Sequence, residues 1–420
     1  LYFLKKRRCA MRRVLILISS IISFQLLSCE NIISDQQEYK KIDFSPAEKL
    51  VLNSSNKFGF NLFSEINKTE PDKNVFISPL SISLALGMTM NGANGETYDA
   101  MRATLQFEGL TNEEINKSYK NLIETLYAAD PKVTFTSANS IWHREEMEFE
   151  KKFFNLCKEY FNASVNPLNF SNPSSVDIIN NWVKEKTNDK IQKIIEAIKS
   201  DDVMFLINAI YFKGTWKYEF DKKLTKKDDF NLLTGEKINT DLMVQKNDFN
   251  YSENDELQAI ELLYGDGNFS MVVLLPKENI NINDFAIQLT EEKLNSILSS
   301  ITIQKGTLWL PKFKTEYKST LNDFLNSLGM GIAFTPGEAD FTNMFKTKEL
   351  FINSVLHKTF VNVDEEGTEA AAVTSVGMGT TSVGGDKEFA MKVNRPFLFL
   401  IREKNSSSVL FIGKIMNPLT

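Results

Sequence analysis

Apolar residues recur at helical spacing from Ala47 to Ile66. In NVFISPLSISLALGMTMNGA a short strand, the pair Ser78-Pro79 and a very apolar helix then follow one another. A helix without a polar stripe belongs inside a core. Helices with one polar face are predicted at about 112–128 and 148–161, with the β-rich KVTFTSANSIWHRE between them, and another near 174–198. The second half changes character. VMFLINAIYFKGTW, FSMVVLLPKE, GTLWLPKFKTEY, RPFLFLIREK and SSVLFIGKIMNP are rich in Val, Ile, Phe and Tyr and bounded by Gly, Pro, Asn or Asp, so they read as strands. Helical interruptions are predicted near 284–299 and 318–328. Helices first and strands later predict the α+β class, with helices around a large mixed sheet and smaller sheets beside it.

Two stretches break this pattern. Between strongly apolar segments lies DEEGTEAAAVTSVGMGTTSVGGDKEF, Asp364 to Phe389, which carries no aromatic residue before Phe389 and almost nothing bulky. Near the beginning, Met11-Arg12-Arg13, the apolar run Val14 to Leu27 and Ser28-Cys29 have the order of an export signal: positive, apolar, then small. The apolar run is shorter than the roughly 20 residues a membrane span needs. Residues 1–28 are therefore read as a signal peptide with a misplaced start before Met11, 29–45 as a polar tether, and 46–420 as one domain that no Pro/Gly/Ser-rich linker divides.

Composition narrows the function classes. With 42% hydrophobic and 24% charged residues over 420 positions, the chain has enough apolar material for a large core, which excludes disorder. A net charge of −6, from 48 Lys+Arg against 54 Asp+Glu, supplies no basic field to gather nucleic acid. Cys9 and Cys29 lie in or beside the signal, which leaves Cys157 without an intrachain partner. Cys157 sits in FFNLCKEYF at helical spacing from Phe153, Phe154 and Phe161, the place of a core residue.

Chemistry-bearing patterns are scarce. His143 and His357 are the only histidines; HExxH, paired CxxC, GxGxxG, GxxxxGK[ST] and GxSxG are all missing. No metal, cofactor or catalytic activity is expected.

The motifs taken together have a family counterpart. NVFISPLSISLALGMTMNGANGET, LINAIYFKGTW, VNRPFLFLI and FIGKIMNP, in that order, resemble the serpins over essentially the whole domain, and Leu26-Leu27-Ser28-Cys29 resembles the lipobox of bacterial lipoproteins. The serpin resemblance implies a reactive-centre loop at about 364–389, with Glu365, Glu366, Gly367, Thr368, Glu369, Ala370, Ala371, Ala372, Val373 and Thr374 as its hinge. It also implies a polar cluster of Ser78, Ser81, Asn208 and His357 beneath the sheet, and Trp216 under the place where the loop enters. By the same resemblance the function is suicide inhibition of serine proteinases, in which the cut loop inserts as a strand and drags the attached proteinase with it. The alternative is a non-inhibitory surface binding or carrier protein of the same fold.

The residues suit insertion. With period two, Thr368, Ala370, Ala372, Thr374, Val376 and Met378 share one uncharged face while Glu369 falls on the other. Gly367 frees the backbone for a turn, and no proline interrupts 364–389. The bait bond stays open: family spacing from Glu365 gives Thr381-Ser382, whereas counting back from Arg395-Pro396-Phe397 gives Gly385, with Met378 and Val383 as further alternatives. Thr, Val or Met at the bait points to elastase-like or chymotrypsin-like serine proteinases. Lipidation at Cys29 implies a protein held at a membrane of the cell envelope, and a plain signal implies secretion; in either case a monomer is expected.

Overall fold

Ser45 and Glu48 close a capping box, in which the Glu48 amide donates to Ser45 Oγ and the Ser45 amide to the Glu48 carboxylate. That fixes the start of α1 (Pro46–Thr69). The computed structural model describes residues 43–200, 202–368 and 388–420. After α1 come β1 (Val75–Ile77) and α2 (Pro79–Met90), which Ser78 caps and which is buried at every residue but Ala85. Then follow α3 (Gly95–Thr104), α4 (Asn112–Ala128), β2 (Val133–Arg144), α5 (Lys151–Phe161), β3 (Ser164–Leu168) and α6 (Ser175–Lys186). The second half supplies β4 (Met204–Thr215), β5 (Lys226–Asn231), β6 (Lys237–Glu253), β7 (Leu257–Tyr264), β8 (Phe269–Pro276), α7 (Ile282–Ile287), α8 (Glu291–Ser300), β9 (Thr302–Pro311) and β10 (Phe313–Thr320). The short α9 (Asn322–Leu325), β11 (Leu356–Val363), β12 (Gly367–Thr368), β13 (Phe389–Lys392), β14 (Phe397–Glu403) and β15 (Val409–Ile415) complete the order.

These strands make two sheets. One runs β1-β15-β14-β8-β7-β6-β9-β13 with β5 on β6; the other runs β10-β11-β12-β4-β2-β3. Parallel pairs, β13 with β9 and β2 with β3, make both sheets mixed. The α+β architecture of the sequence reading is what the molecule has. The six-stranded sheet is covered on both faces. Against one face lies the main core, where Phe76 stacks on Phe399 and Phe411. Against the other, α6 packs Ile179 and Val183 onto Trp142, Ile207 and Ala209. Strand alternation sends Ile207 and Ala209 to α6 and leaves the even positions of β4 facing the main core.

Several predicted boundaries move. The helix expected over 174–198 ends at Lys186, because Asn188 and Asp189 take left-handed φ of 48° and 63° and the Asn180 side chain accepts the amides of Ile194 and Ile195. GTLWLPKFKTEY is two strands in two different sheets, split at Lys312 after Pro311. The buried positions change from even (Gly306, Leu308, Leu310) to odd (Phe313, Thr315, Tyr317) across the break, a shift of phase that the single-strand reading passed over. The helix near 284–299 is a pair, the second capped by Thr290. Lys318 to Thr320 finish β10, which shortens the helix expected over 318–328 to α9 and a wide turn through Gly329 at φ 106°. Cys157 is wholly buried in α5, and burial pushes its thiol up, away from the reactive thiolate.

Candidate functional site

Between β11 and β4 the six-stranded sheet holds a strand of just two residues. The chain leaves β11 at Val363 and turns back through Asp364-Glu365-Glu366-Gly367, a tight hairpin closed by the Asp364 amide on Gly367 O at 3.0 Å. Thr368 then pairs with Val363 of β11 on one side and Gly214 of β4 on the other, while Gly367 pairs with Thr215. Only glycine fits at 367: its φ is 151°, and a Cβ would lie 2.1 Å from the Gly214 carbonyl oxygen.

The segment after β4 grips this hairpin. The Trp216 amide donates to Glu366 O at 2.9 Å, its indole Nε1 to Asp364 O at 2.9 Å, and the Phe220 amide to Glu365 O at 2.9 Å. Glu365, 4% exposed, receives the Lys312 ammonium at 2.9 Å and the Thr225 hydroxyl at 2.8 Å. Burial pushes the Glu365 carboxyl up, but the Lys312 and Thr225 bonds outweigh it and hold the group below its ordinary value. Glu366 pairs with Lys222. Beneath the hairpin, Trp216 stacks on Tyr264 with ring centroids 4.4 Å apart, and the Tyr264 and Thr368 hydroxyls share a hydrogen bond of 2.6 Å.

Further down the same interval lies the second group. Ser78, at the start of α2, donates its amide to His357 Nε2 at 3.1 Å and its hydroxyl to Leu410 O at 2.7 Å. Asn208 of β4 accepts from Ser81 and donates to Ser137 Oγ at 3.0 Å and Asn139 Oδ1 at 2.7 Å. As the acceptor of an amide, His357 Nε2 is unprotonated, and burial lowers the imidazole to about 3, so the ring is neutral.

No ladder joins β4 to β11 below Thr368 among the described residues. Two cavities mark that interval. A small one, about 10 Å³, is lined by Thr368, Ile210, Phe212, Phe360 and Val361. A larger one, about 150 Å³, is lined by Met204 to Asn208, Leu356 to Lys358, and Ser81 and Ile82 of α2.

The structure thus brings Ser78 to His357 and Ser81 to Asn208, and places Trp216 with Glu365, Glu366, Gly367 and Thr368 at the hairpin. Glu369, Ala370, Ala371, Ala372, Val373, Thr374, Met378, Thr381, Ser382, Val383, Gly385 and Cys29 lie outside the described residues. Tyr264, Lys312, Lys222 and Thr225 escaped the sequence reading, since they reach the hairpin from about 50 to 150 residues away along the chain without a local motif. Among the described residues no cluster of His, Cys, Asp or Glu is arranged to hold a metal ion, and no helix is long and apolar enough to cross a membrane.

A mixed sheet wedged by a hairpin from its own chain defines the class: an α+β protein with a segment near its C-terminus anchored between two strands. The family is named by sequence and fold together. The model for Serpin (serine protease inhibitor) matches residues 53–418, and the chain belongs to that family. An uncharacterized serpin-like protein of Methanosarcina acetivorans is 34% identical over 373 residues, which cover 88% of this chain and 86% of the relative. Among solved structures, the thermophilic serpin tengpin in its native state superposes with a TM-score of 0.80 at 35% identity, covering 90% of this chain and 96% of its own. Human thyroxine-binding globulin in complex with thyroxine superposes with a TM-score of 0.81 at 26% identity, covering 89% of this chain and 100% of its own.

Proposed function

We propose that this chain inhibits serine proteinases as a suicide substrate, offering the segment between Thr368 and Glu388 as bait. The proteinase serine attacks the carbonyl of the bait residue, Thr381 on family spacing, and the bond to Ser382 breaks. The freed N-terminal part of the loop slides between β4 and β11, and the acyl-linked proteinase is carried along and distorted before its ester hydrolyses. The observation that carries this reading is Thr368 already seated as a rung, with no ladder below it among the described residues.

Were the inserted strand to keep the register of that rung, Ala370 would come between Phe212 and Val361, Ala372 between Ile210 and Thr359, and Thr374 between Asn208 and His357. The alanines would stand beside the bulky Phe212 and Ile210, and Thr374 beside the polar Asn208 and His357. Mixing the protein with elastase-like proteinases and looking for an SDS-resistant complex is the test. Clean loop cleavage with no complex overturns inhibition.

A carrier or binding role is the second reading, favoured by the similarity to thyroxine-binding globulin. It predicts no gain in thermal stability when the loop is cut. For location, we propose an envelope lipoprotein anchored through lipid on Cys29; a Cys29→Ala variant then appears in the medium or soluble fraction, whereas unchanged membrane retention refutes the anchor.

A further inference from the structure

We propose that Tyr264 is a positioning residue that keeps the first rung of the incoming strand seated before the bait is cut. The inference rests on the insertion reading above and asks what sets its speed. A two-residue strand has few ladder bonds: one residue pair with β11 and two with β4. Left to those alone, such a strand frays. Starting insertion anew from a free loop carries the entropy of bringing its end to the sheet, whereas adding a residue next to an existing rung does not. The position that decides between these two routes is Thr368.

At that position the structure supplies a side-chain tie. Thr368 is 2% exposed and Tyr264 fully buried, so neither hydroxyl has water as a substitute partner. Their 2.6 Å hydrogen bond joins the rung to β7, a strand of the other sheet. The phenol cannot drift, because its ring is stacked on Trp216, itself bonded to the hairpin at Asp364 and Glu366. Space for the ring comes from Gly214, where a Cβ would approach the Tyr264 ring to 2.9 Å. The ring therefore comes close to β4 at the residue that pairs with Thr368. A phenylalanine would fill the same space beside Gly214 without tying the rung, so Tyr264→Phe separates packing from the hydroxyl contact.

The test compares Tyr264→Phe, Thr368→Val, their double variant and Thr368→Ser. Three quantities are read: the moles of inhibitor consumed per proteinase trapped, the rate at which loop-nicked protein gains heat resistance, and the Tm of the intact protein. Trp216 emission reports seating of the hinge independently. Loss of one buried hydrogen bond predicts about a two- to tenfold rise in inhibitor consumed and a matching slowing of insertion in each single variant. Thr368→Ser keeps the hydroxyl and stays within about twofold of wild type, and the double variant is no worse than the poorer single one. A lowered Tm with wild-type consumption and insertion rate overturns the proposal, as do single-variant effects that multiply in the double variant. If wild type forms no SDS-resistant complex, inhibition itself fails and Tyr264 is judged on the insertion rate of nicked protein: slower in Tyr264→Phe supports it, unchanged overturns it. Nicked wild type that never gains heat resistance overturns both.

Discussion

Cutting the loop anywhere between 379 and 387 is expected to raise the thermal midpoint of the protein. From the seated rung, the register lets residues 369–378 enter beside β4 and 369–375 beside β11 as well. Counting about ten ladder bonds to β4 and about seven to β11, at about 0.5–1.5 kcal/mol net each, gives roughly 8–25 kcal/mol. Ordering ten backbone residues costs about 10–20 kcal/mol, so these two terms are of similar size and opposite sign. The cavity then tips the balance. Filling about 150 Å³ at about 24 cal/mol per Å³ recovers roughly 3–4 kcal/mol. With an unfolding entropy of about 0.8 kcal/mol/K for a domain of this size, the midpoint rises by about 4–5 °C, and further if burial of Val373, Val376 and Met378 contributes. Calorimetry of intact and nicked protein at one concentration measures it. An unchanged or lower midpoint after complete nicking would falsify the insertion argument, because it would mean the interval between β4 and β11 gains nothing from a strand.

Thr368→Arg sets a guanidinium among Tyr264, Gly214 and Val363, where burial of an unpaired charge costs several kcal/mol. The expected result on gels is cleavage without SDS-resistant complex; undiminished trapping contradicts it. In the proposed inserted strand the same register would bring Glu369 opposite Lys213 on β4, so Lys213→Glu would replace an attractive cross-strand pair by a repulsive one and is expected to raise the inhibitor consumed per proteinase about two- to fivefold. Lys312→Ala strips the ammonium from buried Glu365 and costs about 1–3 kcal/mol in denaturant unfolding at pH 7. Since the folded Glu365 pKa lies below its unfolded value of 4.5, that stabilisation is full above about pH 4.5 and fades as pH falls through the lowered value, which makes the variant less acid-sensitive than wild type there. For His357, with a folded pKa of about 3 against 6.5 unfolded, the unfolded chain binds the proton first. Stability therefore declines as pH drops from 6.5 towards 3, by up to about 4–5 kcal/mol, and His357→Gln shows a flatter decline in denaturant midpoints measured from pH 7 to 4.

Much of the fold was readable because its signals are local. Ser78-Pro79 marks the start of α2 through capping and proline geometry, and Gly367 marks the hairpin because any side chain there meets Gly214. What failed was whatever depends on partners far along the chain. Lys312 looks from sequence like the middle of one strand, yet it parts two sheets and holds Glu365. Tyr264 ends an ordinary apolar strand, and only the stacking of Trp216 and the contact with Thr368 distinguish it. The helix predicted to 198 was lost for a related reason, since the Asn180 side chain offers 194–195 a better set of bonds than another helical turn.

The composition of the stretch after Thr368 is explained by the walls that would receive it. On the core-facing side β4 presents Phe212, Ile210 and Asn208 in turn, and β11 presents Val361, Thr359 and His357. A strand entering between them would meet Phe212 and Val361 at its first inner position and Ile210 and Thr359 at its second, and alanine, present at 370 and 372, is what the bulky Phe212 and Ile210 leave room for. At the third position the flanks become polar. Asn208 and His357 are the polar pair that an inner-face residue would meet there. There the sequence changes from alanine to Thr374, the first hydroxyl on that face since Thr368. A freely solvated bait would have no reason to keep this order of small, small and hydroxylated residues; a strand that must pass between these walls does.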